Sequence, residues 1–305
     1  MRDAFAKEVK LLAENNNEIV LLSGDIGNRM FDDYKKIAPN RFLNCGIAEA
    51  NMMSMASGMA LSGLKPIIYT ITPFTTTRCL EQIRIGVAYH EAPVIIVGTG
   101  SGLSYSELGP THHSLEDIAI MKSIPGINIL TPSDKQELVI QLREAVLSQK
   151  PTYMRIGKKG EPDIFQSKDN IGIGRANLIS EGQDILIIAI GPIVSEALEA
   201  SKILKNSGIN IGVATMGSIR PLDEDFLKTM IQKNYKKWIT LEEHGTFGGL
   251  GTSLVEWIFE NNLKNIELKK CGIPNLFIHE LGNQKFTRQK YGMDSSGIVD
   301  LVKKL

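Results

Sequence analysis

The residue with the clearest chemical potential is one carboxylate in an otherwise apolar segment. Residues 44–63 are small, apolar and rich in methionine, and Glu49 is their only charged side chain. Glu49 follows Gly46 in the first turn of a predicted helix. We expect loss of solvent to raise the pKa of this carboxyl and the helix N-terminus to lower it. The alternative is an acidic residue that only complements the helix dipole.

Further polar residues follow several predicted strands. The carboxyl ends of parallel strands meet at one edge of a sheet, so we expect these residues to lie near Glu49. Convergence of this kind favours a binding site more than any single residue does. The candidates are Asp25, Ile26, Phe74, Thr75, Arg78, His112 and His113.

Each candidate also has a purely structural interpretation. Phe74 could be a core aromatic residue, and Arg78 could pair with Glu81 on the same helix. The pair His112 and His113 could begin a capped helix. The glycine-rich residues 98–102 resemble a dinucleotide-binding loop only weakly, because no helix follows directly and the fingerprint is incomplete.

The elements that would position these residues alternate between apolar strands and helices. This alternation predicts an α/β fold with a doubly wound, mostly parallel sheet in the first half. The predicted strands are 18–25, 41–46, 64–71, 93–98, 128–130 and 152–156. The predicted helices are 2–15, 47–62, 76–90, 114–121 and 134–147.

A length of 305 residues predicts two domains. We place the first at residues 1–160, a linker with an edge element at 161–182, and a smaller α/β domain at 183–305. Strands are predicted in the smaller domain at 184–190, 210–216, 238–243 and 275–280. Its helices are predicted at 193–206, 223–233, 249–260 and from 294.

Composition excludes several classes of function. The 34 basic residues balance the 34 acidic ones, so no charge excess attracts nucleic acid or an anionic membrane. Cys45, Cys79 and Cys271 are far apart and lack metal-ligand spacing, which predicts reduced thiols, a cytoplasmic location and no metal site. No apolar run approaches the roughly 20 residues of a membrane span.

Several motifs resemble the thiamine diphosphate-dependent transketolase family. Residues 46–49 (Gly-Ile-Ala-Glu), 109–112 (Gly-Pro-Thr-His) and 131–134 (Thr-Pro-Ser-Asp) resemble its pyrimidine-binding domain. Residues 213–223 and 241–251 resemble its C-terminal domain, especially that of 1-deoxy-D-xylulose-5-phosphate synthase. The last domain alone would also fit the beta subunits of 2-oxo acid dehydrogenases.

The resemblance implies roles for the candidate residues. Glu49 would hydrogen-bond a ring nitrogen of the cofactor's aminopyrimidine and would hold or share a proton there. Phe74 or Thr75 would stack on that ring, and Ile26 would contact it. Asp25 and Arg78 complete the expected cofactor-binding set, which is Asp25, Ile26, Glu49, Phe74, Thr75 and Arg78.

Two histidines and one arginine are the expected catalytic and substrate-binding residues beside Glu49. The resemblance places His112 near the cofactor amino group and the substrate carbonyl, while comparison with dehydrogenase beta subunits selects His113. We keep both and rank His112 first. Arg155 matches a phosphate-binding position and suits a phosphate or carboxylate, but it could equally be paired with an acid inside the fold.

The family's Gly-Asp-Gly motif, which holds the diphosphate and its divalent metal, does not occur in this sequence. The resemblance therefore implies a partner. This partner would be an N-terminal transketolase subunit that binds Mg²⁺ and the diphosphate group of thiamine diphosphate. Family sites form between such domains, so we expect an α2β2 heterotetramer. The chain would be the C-terminal half of a split enzyme that transfers a two-carbon ketol unit between sugars.

The sequence departs from typical transketolases at three sugar-binding positions, which are Thr131, Leu108 and a position near Gly100. These departures favour a specialised ketol transfer, for example on a modified or nucleotide-linked sugar. Two alternatives stay open. The chain could be the beta subunit of a 2-oxo acid dehydrogenase or of a decarboxylating carboligase, or it could be a noncatalytic regulatory subunit.

Overall fold

The computed structural model of the chain describes residues 1–27, 29–166 and 170–305. Part of the predicted linker, residues 167–169, lies outside them. The strands of the first sheet that come from the first half are β1 (Ile19–Ser23), β2 (Phe42–Asn44), β3 (Lys65–Ile71), β4 (Ile95–Thr99), β5 (Asn128–Leu130) and β6 (Thr152–Ile156). The helices are α1 (Arg2–Asn15), α2 (Asp32–Ile37), α3 (Glu49–Leu61), α4 (Thr72–Thr75), α5 (Asp117–Lys122) and α6 (Lys135–Ser148).

The first sheet is covered on both sides. Its six strands from this half run parallel in the order β5-β6-β4-β3-β1-β2. Every residue of β1, β4 and β6 is buried, as expected of a parallel sheet between helices. Neighbouring residues alternate between two core clusters: Leu22 and Ile68 pack on one side, Leu21 and Ile67 on the other. The predicted doubly wound architecture is confirmed.

The second sheet has the order β12-β11-β8-β9-β7 and is parallel except for β7. Its strands are β7 (Ala176–Ser180), β8 (Ile185–Ala189), β9 (Gly212–Met216), β11 (Lys237–Gly245) and β12 (Glu267–Ile273). The helices of this half are α7 (Val194–Asn206), α8 (Glu224–Gln232), α9 (Leu250–Glu260), α10 (Gln284–Lys290) and α11 (Ser295–Val302). No helix in the described ranges is long and apolar enough to cross a membrane.

One strand of the second half joins the first sheet, which the sequence did not predict. β10 (Ser218–Arg220) pairs antiparallel with β5 at the sheet edge. The Arg220 guanidinium donates to the Lys122 and Ile124 carbonyl oxygens, both at 2.7 Å. A single core cluster includes residues from both halves, so the two sheets pack as one body.

Three predicted elements are corrected by the structure. Residues 275–280 form no regular strand, and the edge strand is β12, earlier in the chain. The helix expected at 76–90 divides into a single turn at Thr77–Cys79 and a π-helix at Gln82–Tyr89. The helix expected at 114–121 begins only at Asp117, because residues 109–114 form turns.

The sheet topology sets the position of α3. The chain runs from β1 to β2 on one side and then returns across β1 to β3. Such a reversal opens a crevice at the carboxyl ends of β1 and β3, where ligands bind in open α/β sheets. The first residue of α3 is Glu49, which lies at this crevice.

Candidate active site

Glu49 is buried at the crevice between β1 and β3. Its side chain is 2% exposed, and its Cγ lies so close to Gly24 that a Cβ there would be 3.3 Å away. The same Cβ would be 3.1 Å from Thr70 in β3. A side chain at position 24 would press on Glu49 and Thr70, so a glycine suits this strand end.

Arg78 and Phe74 form the next contacts outward. Nη1 of Arg78 donates to Oε2 of Glu49 at 2.9 Å, so the alternative pairing with Glu81 is not found. Glu81 instead lies 4.0 Å from Arg84. The Arg78 Cζ atom lies 4.1 Å from the centroid of the Phe74 ring. The Arg78 guanidinium therefore lies between the Glu49 carboxylate, to which it donates a hydrogen bond, and the Phe74 ring, over which it is placed.

His112 extends this cluster. Its ring meets Phe74 edge-on with centroids 5.4 Å apart, and Tyr105 lies 6.1 Å away on another side. Its Nδ1 is 2.9 Å from Oγ1 of Thr111. Partial burial and the neighbouring His113 lower the pKa of His112, so its imidazole is neutral at neutral pH.

His113 has a different environment. It is buried, and its Nε2 lies 3.2 Å from the Ser106 carbonyl oxygen. Its Nδ1 is buried without a hydrogen-bond partner among the described residues. The structure brings His112, and not His113, into contact with the Phe74 ring.

Asp25 and Ile26 lie in the loop after β1. Oδ1 of the exposed Asp25 accepts a hydrogen bond from Asn44 at 3.0 Å, and Asn44 in turn accepts one from the Gly46 backbone. The carbonyl of Ile26 accepts from the Ser23 hydroxyl at 2.6 Å. These bonds join the loop to the turn that precedes Glu49.

Phe74 and Thr75, which the sequence left as alternatives, point in different directions. Thr75 is fully buried, and its hydroxyl donates to the Thr72 carbonyl at 2.9 Å. Phe74 is half-buried and contacts both Arg78 and His112. The aromatic ring, rather than the threonine, faces the other candidate residues.

Arg155 is engaged inside the fold. It is 5% exposed, and its Nε lies 2.8 Å from Oδ2 of Asp117. Its Nη2 donates to the Ser114 and Glu243 carbonyl oxygens at 3.0 and 3.1 Å. This is the internal ion pair that the sequence offered as an alternative, and the substrate-binding role stays a prediction.

Sequence reasoning missed two residues beside the site. Tyr105 packs against the Gly100 backbone, next to His112. Glu243, in the second half, accepts a hydrogen bond from the Leu103 backbone at 3.2 Å and is bonded to Arg288. The glycines at 98, 100 and 102 were a sequence signal for a close approach of another group such as Tyr105, whereas no local pattern indicates a contact 140 residues away.

Two of the three departures from typical transketolases have a structural explanation. Thr131 is fully buried, and its hydroxyl donates to the Met216 carbonyl at 2.9 Å. A side chain at Gly100 would overlap the Tyr105 ring. Leu108 is 49% exposed, and nothing in its described surroundings explains an apolar residue where an acid is typical.

The residues at the crevice fit the aminopyrimidine half of thiamine diphosphate better than its diphosphate half. A buried carboxylate with an aromatic face nearby suits a flat heterocycle with a protonatable nitrogen, and the flat Arg78 guanidinium already lies between Glu49 and Phe74. The diphosphate requires a divalent metal with oxygen ligands. Across residues 1–27, 29–166 and 170–305, no group of three or more His, Cys, Asp or Glu side chains could hold one.

Two family descriptions match consecutive parts of the chain. "Transketolase, pyrimidine binding domain" matches residues 1–161, and "Transketolase, C-terminal domain" matches residues 174–298. The first covers all the candidate site residues. The second covers β7 to the first half of α11.

Two similar transketolase subunits match this chain over nearly their whole length, and a longer enzyme matches over less than half of its own. A subunit of the apulose-4-phosphate transketolase of Phocaeicola vulgatus is 34% identical over 99% of this chain and 97% of its own. A 6-deoxy-6-sulfo-D-fructose transketolase subunit of Clostridium sp. is 30% identical over 98% and 92%. The 1-deoxy-D-xylulose-5-phosphate synthase of Halothermothrix orenii is 32% identical, but the match covers only 42% of that enzyme.

A solved structure has the same fold. It is described as a split gene transketolase, inactive beta4 tetramer, and it superposes with a TM-score of 0.87 at 30% identity over 99% of this chain and 96% of its own. Together, the two domain matches and the full-length relatives show that the chain belongs to the transketolase family of thiamine diphosphate-dependent enzymes.

Proposed function

We propose that this chain is one subunit of a two-chain, thiamine diphosphate-dependent transketolase-like enzyme that transfers a two-carbon ketol unit between sugars. The observation that carries the proposal is the buried Glu49 carboxylate at the sheet crevice, which Arg78 connects to Phe74 and His112. Relatives that match the chain end to end and are named as transketolase subunits support it.

Glu49 would act on the aminopyrimidine. Thiamine diphosphate, when bound, supplies a thiazolium carbon that can lose a proton and attack a carbonyl group. Oε1 or Oε2 of Glu49 would hold the proton that the pyrimidine ring nitrogen shares, and the buried position of this carboxyl keeps bulk water from competing for that proton. Phe74 would fix the plane of the ring by stacking.

His112 would serve the substrate side of the site. A neutral imidazole can both accept and donate a proton, and the lowered pKa of His112 keeps it neutral. Nδ1 faces Thr111, which leaves Nε2 available for a substrate oxygen. His113, whose Nε2 is already bonded to a backbone carbonyl, would support the turn that carries His112.

The partner would be an N-terminal transketolase subunit that holds the diphosphate and Mg²⁺. Exposed apolar side chains support such an interface, with Ile47 79% exposed just before α3 at the site and Tyr89 76% exposed at the far end of the π-helix. We propose an α2β2 heterotetramer in the cytoplasm. The free thiols of Cys45, Cys79 and Cys271, all in the described part of the chain, support a reducing compartment.

The first experiment is calorimetry with thiamine diphosphate and Mg²⁺ on the chain alone, on its mixture with a candidate N-terminal subunit, and on the same mixture with Glu49→Gln. We expect very weak binding to the lone chain, clear binding in the mixture, and ketol transfer reduced at least about a hundredfold by Glu49→Gln. Glu81→Gln, an exposed acid on a neighbouring segment, is the matched control. Tight binding to the lone chain would contradict the two-chain proposal.

A second arm of the experiment profiles substrates of the mixture. The buried Thr131 and the apolar Leu108 favour a modified sugar over the common pentose phosphates, and the named substrates of two relatives are themselves unusual sugars. Efficient transfer from xylulose 5-phosphate to ribose 5-phosphate would contradict this specialisation. Transfer to a lipoyl group instead of an aldehyde would favour the dehydrogenase alternative.

A further inference from the structure

The Arg78 side chain contacts both groups that the proposed function assigns to the cofactor ring, namely the Glu49 carboxylate and the Phe74 ring. Nη1 of Arg78 is 2.9 Å from Oε2 of Glu49, and its Cζ lies 4.1 Å from the Phe74 ring centroid. Glu49 is 2% exposed, whereas the Arg78 side chain is 43% exposed. The guanidinium therefore covers a buried acid from the solvent side.

A guanidinium and an aminopyrimidine present similar chemistry to such a site. Both are flat, both direct nitrogen atoms in their own plane toward a carboxylate, and both stack on an aromatic ring. Two flat groups cannot occupy the same face of Phe74 and the same edge of Glu49 together. Binding of one requires the other to leave.

We propose that Arg78 is an internal substitute for the aminopyrimidine, which fills the ring's place in the chain without cofactor and turns outward when the cofactor binds. The proposal rests on the proposed function, because that function places the pyrimidine at Glu49 and Phe74. A partner for the carboxylate is needed in the free chain, since a buried charge without one is strongly destabilising.

The half-exposed position of Arg78 allows this exchange. Arg78 follows α4 in the single turn Thr77–Cys79, so its side chain can reach solvent without moving α3 or the sheet. Its departure frees Oε2 of Glu49, the atom that Nη1 contacts, for the pyrimidine ring nitrogen. The exchange thus keeps the Glu49 side chain paired whether or not the cofactor is bound.

The competing interpretation is that Arg78 stays in place and holds the Oε2 atom of Glu49 while the ligand uses Oε1. The two interpretations predict opposite effects of removing the guanidinium. A substitute competes with the ligand, so its removal strengthens binding. A holding group supports the ligand, so its removal weakens binding.

The test measures binding of 4-amino-5-hydroxymethyl-2-methylpyrimidine, the pyrimidine half of the cofactor, to the full chain alone by NMR titration. Arg78→Met removes the guanidinium and keeps an unbranched side chain. We expect it to bind the probe about tenfold more tightly, the factor for a competitor that is in place nine-tenths of the time. Arg84→Met, an exposed arginine on the π-helix, is the matched control and should change nothing.

Equal or weaker binding by Arg78→Met, including no detectable binding, would overturn the proposal. Should that variant not fold, Arg78→Lys replaces it, because it keeps the charge but lacks the flat group. Adding Glu49→Gln to Arg78→Met separates the proposed placement of the pyrimidine at Glu49 from the proposal that Arg78 substitutes for it. If Arg78→Met strengthens binding and Glu49→Gln then leaves it unchanged, the proposed placement of the pyrimidine fails. If Glu49→Gln weakens binding while Arg78→Met does not strengthen it, only the substitution proposal fails.

Discussion

His112 and His113 are adjacent in sequence but have opposite environments. The His112 ring is half-buried against Phe74 and Tyr105, while His113 is buried and bonded to the Ser106 carbonyl. The pKa of His112 is lowered first by burial and then by the charge of His113. The neutral form of His112 therefore persists to a lower pH than that of an ordinary histidine.

Replacing His113 tests this interaction. His113→Asn removes the second cause, so we expect the pKa of His112 to rise toward its ordinary value of about 6.5 without reaching it, because burial remains. An NMR pH titration of the His112 ring protons measures the change. His90→Asn, at an exposed histidine beyond the π-helix, is the control. A His112 pKa that stays constant or falls would contradict the expectation.

Single-residue patterns in the sequence identify the acid of the site but not its contacts. Glu49 is recognisable because no other charge occurs in its apolar segment. Its partner Arg78 is 29 residues away, and helix spacing suggested Glu81 instead. Arg155 shows the same limit, because the acid that pairs with it, Asp117, lies on a helix of the same half but far along the chain.

At the scale of elements, α6 contacts the second half of the chain through a buried acidic side chain. Glu137 is fully buried, and its Oε2 accepts from the Ser133 backbone at 2.6 Å. Gly217 passes so close that a Cβ there would overlap Oε1 of Glu137. Burial raises the pKa of Glu137 to about 8, so this contact is made by a neutral carboxyl.

This acid predicts a pH-dependent stability. Between pH 4.5 and about 8 the folded chain keeps a Glu137 proton that the unfolded chain releases, so the free energy of unfolding falls as pH rises. The slope from one such group is at most about 1.4 kcal/mol per pH unit. Urea unfolding at pH 5, 6, 7 and 8 should show this slope in the wild type and lose it in Glu137→Gln. The same slope in Glu137→Gln as in Glu81→Gln would refute the assignment.

Element prediction succeeds where strands are apolar and fails at the edges. β1 and β4 are apolar runs buried throughout, so their pattern is unambiguous. β12 contains Lys269 and Lys270 and is only partly buried, because an edge strand has only one neighbour and need not be apolar. Residues 275–280 are more apolar than β12, yet they form no strand.

At the scale of the whole chain, the second half holds the loop that leads to the histidines. Glu243 of β11 bonds to the Leu103 backbone, to Gln284 and to Arg288. Gly102 has a φ of +61°, and its carbonyl accepts a hydrogen bond from Ser114 at 3.0 Å. The polar residues of the C-terminal half therefore hold the loop before the histidines, and the Glu243 carbonyl oxygen also accepts a hydrogen bond from Arg155.

Gly102→Ala tests this coupling. The positive φ alone costs an alanine about 1–2 kcal/mol. Its Cβ would also lie 2.5 Å from Cβ of Glu243, an overlap that we expect to cost about 1–3 kcal/mol more. Gly126→Ala is the matched control, because its φ is +78° and nothing lies within 4 Å of the added Cβ.

Urea unfolding measures the difference in stability between the two variants, and NMR follows the His112 ring. We expect Gly102→Ala to unfold more easily than Gly126→Ala and to shift the His112 resonances, which Gly126→Ala leaves in place. The shift follows because Gly102 bonds to Ser114, two residues after His112. Equal stabilities and unchanged His112 resonances would mean that the two halves are joined elsewhere, through β10 and the shared core, and that the site is set by the first half alone.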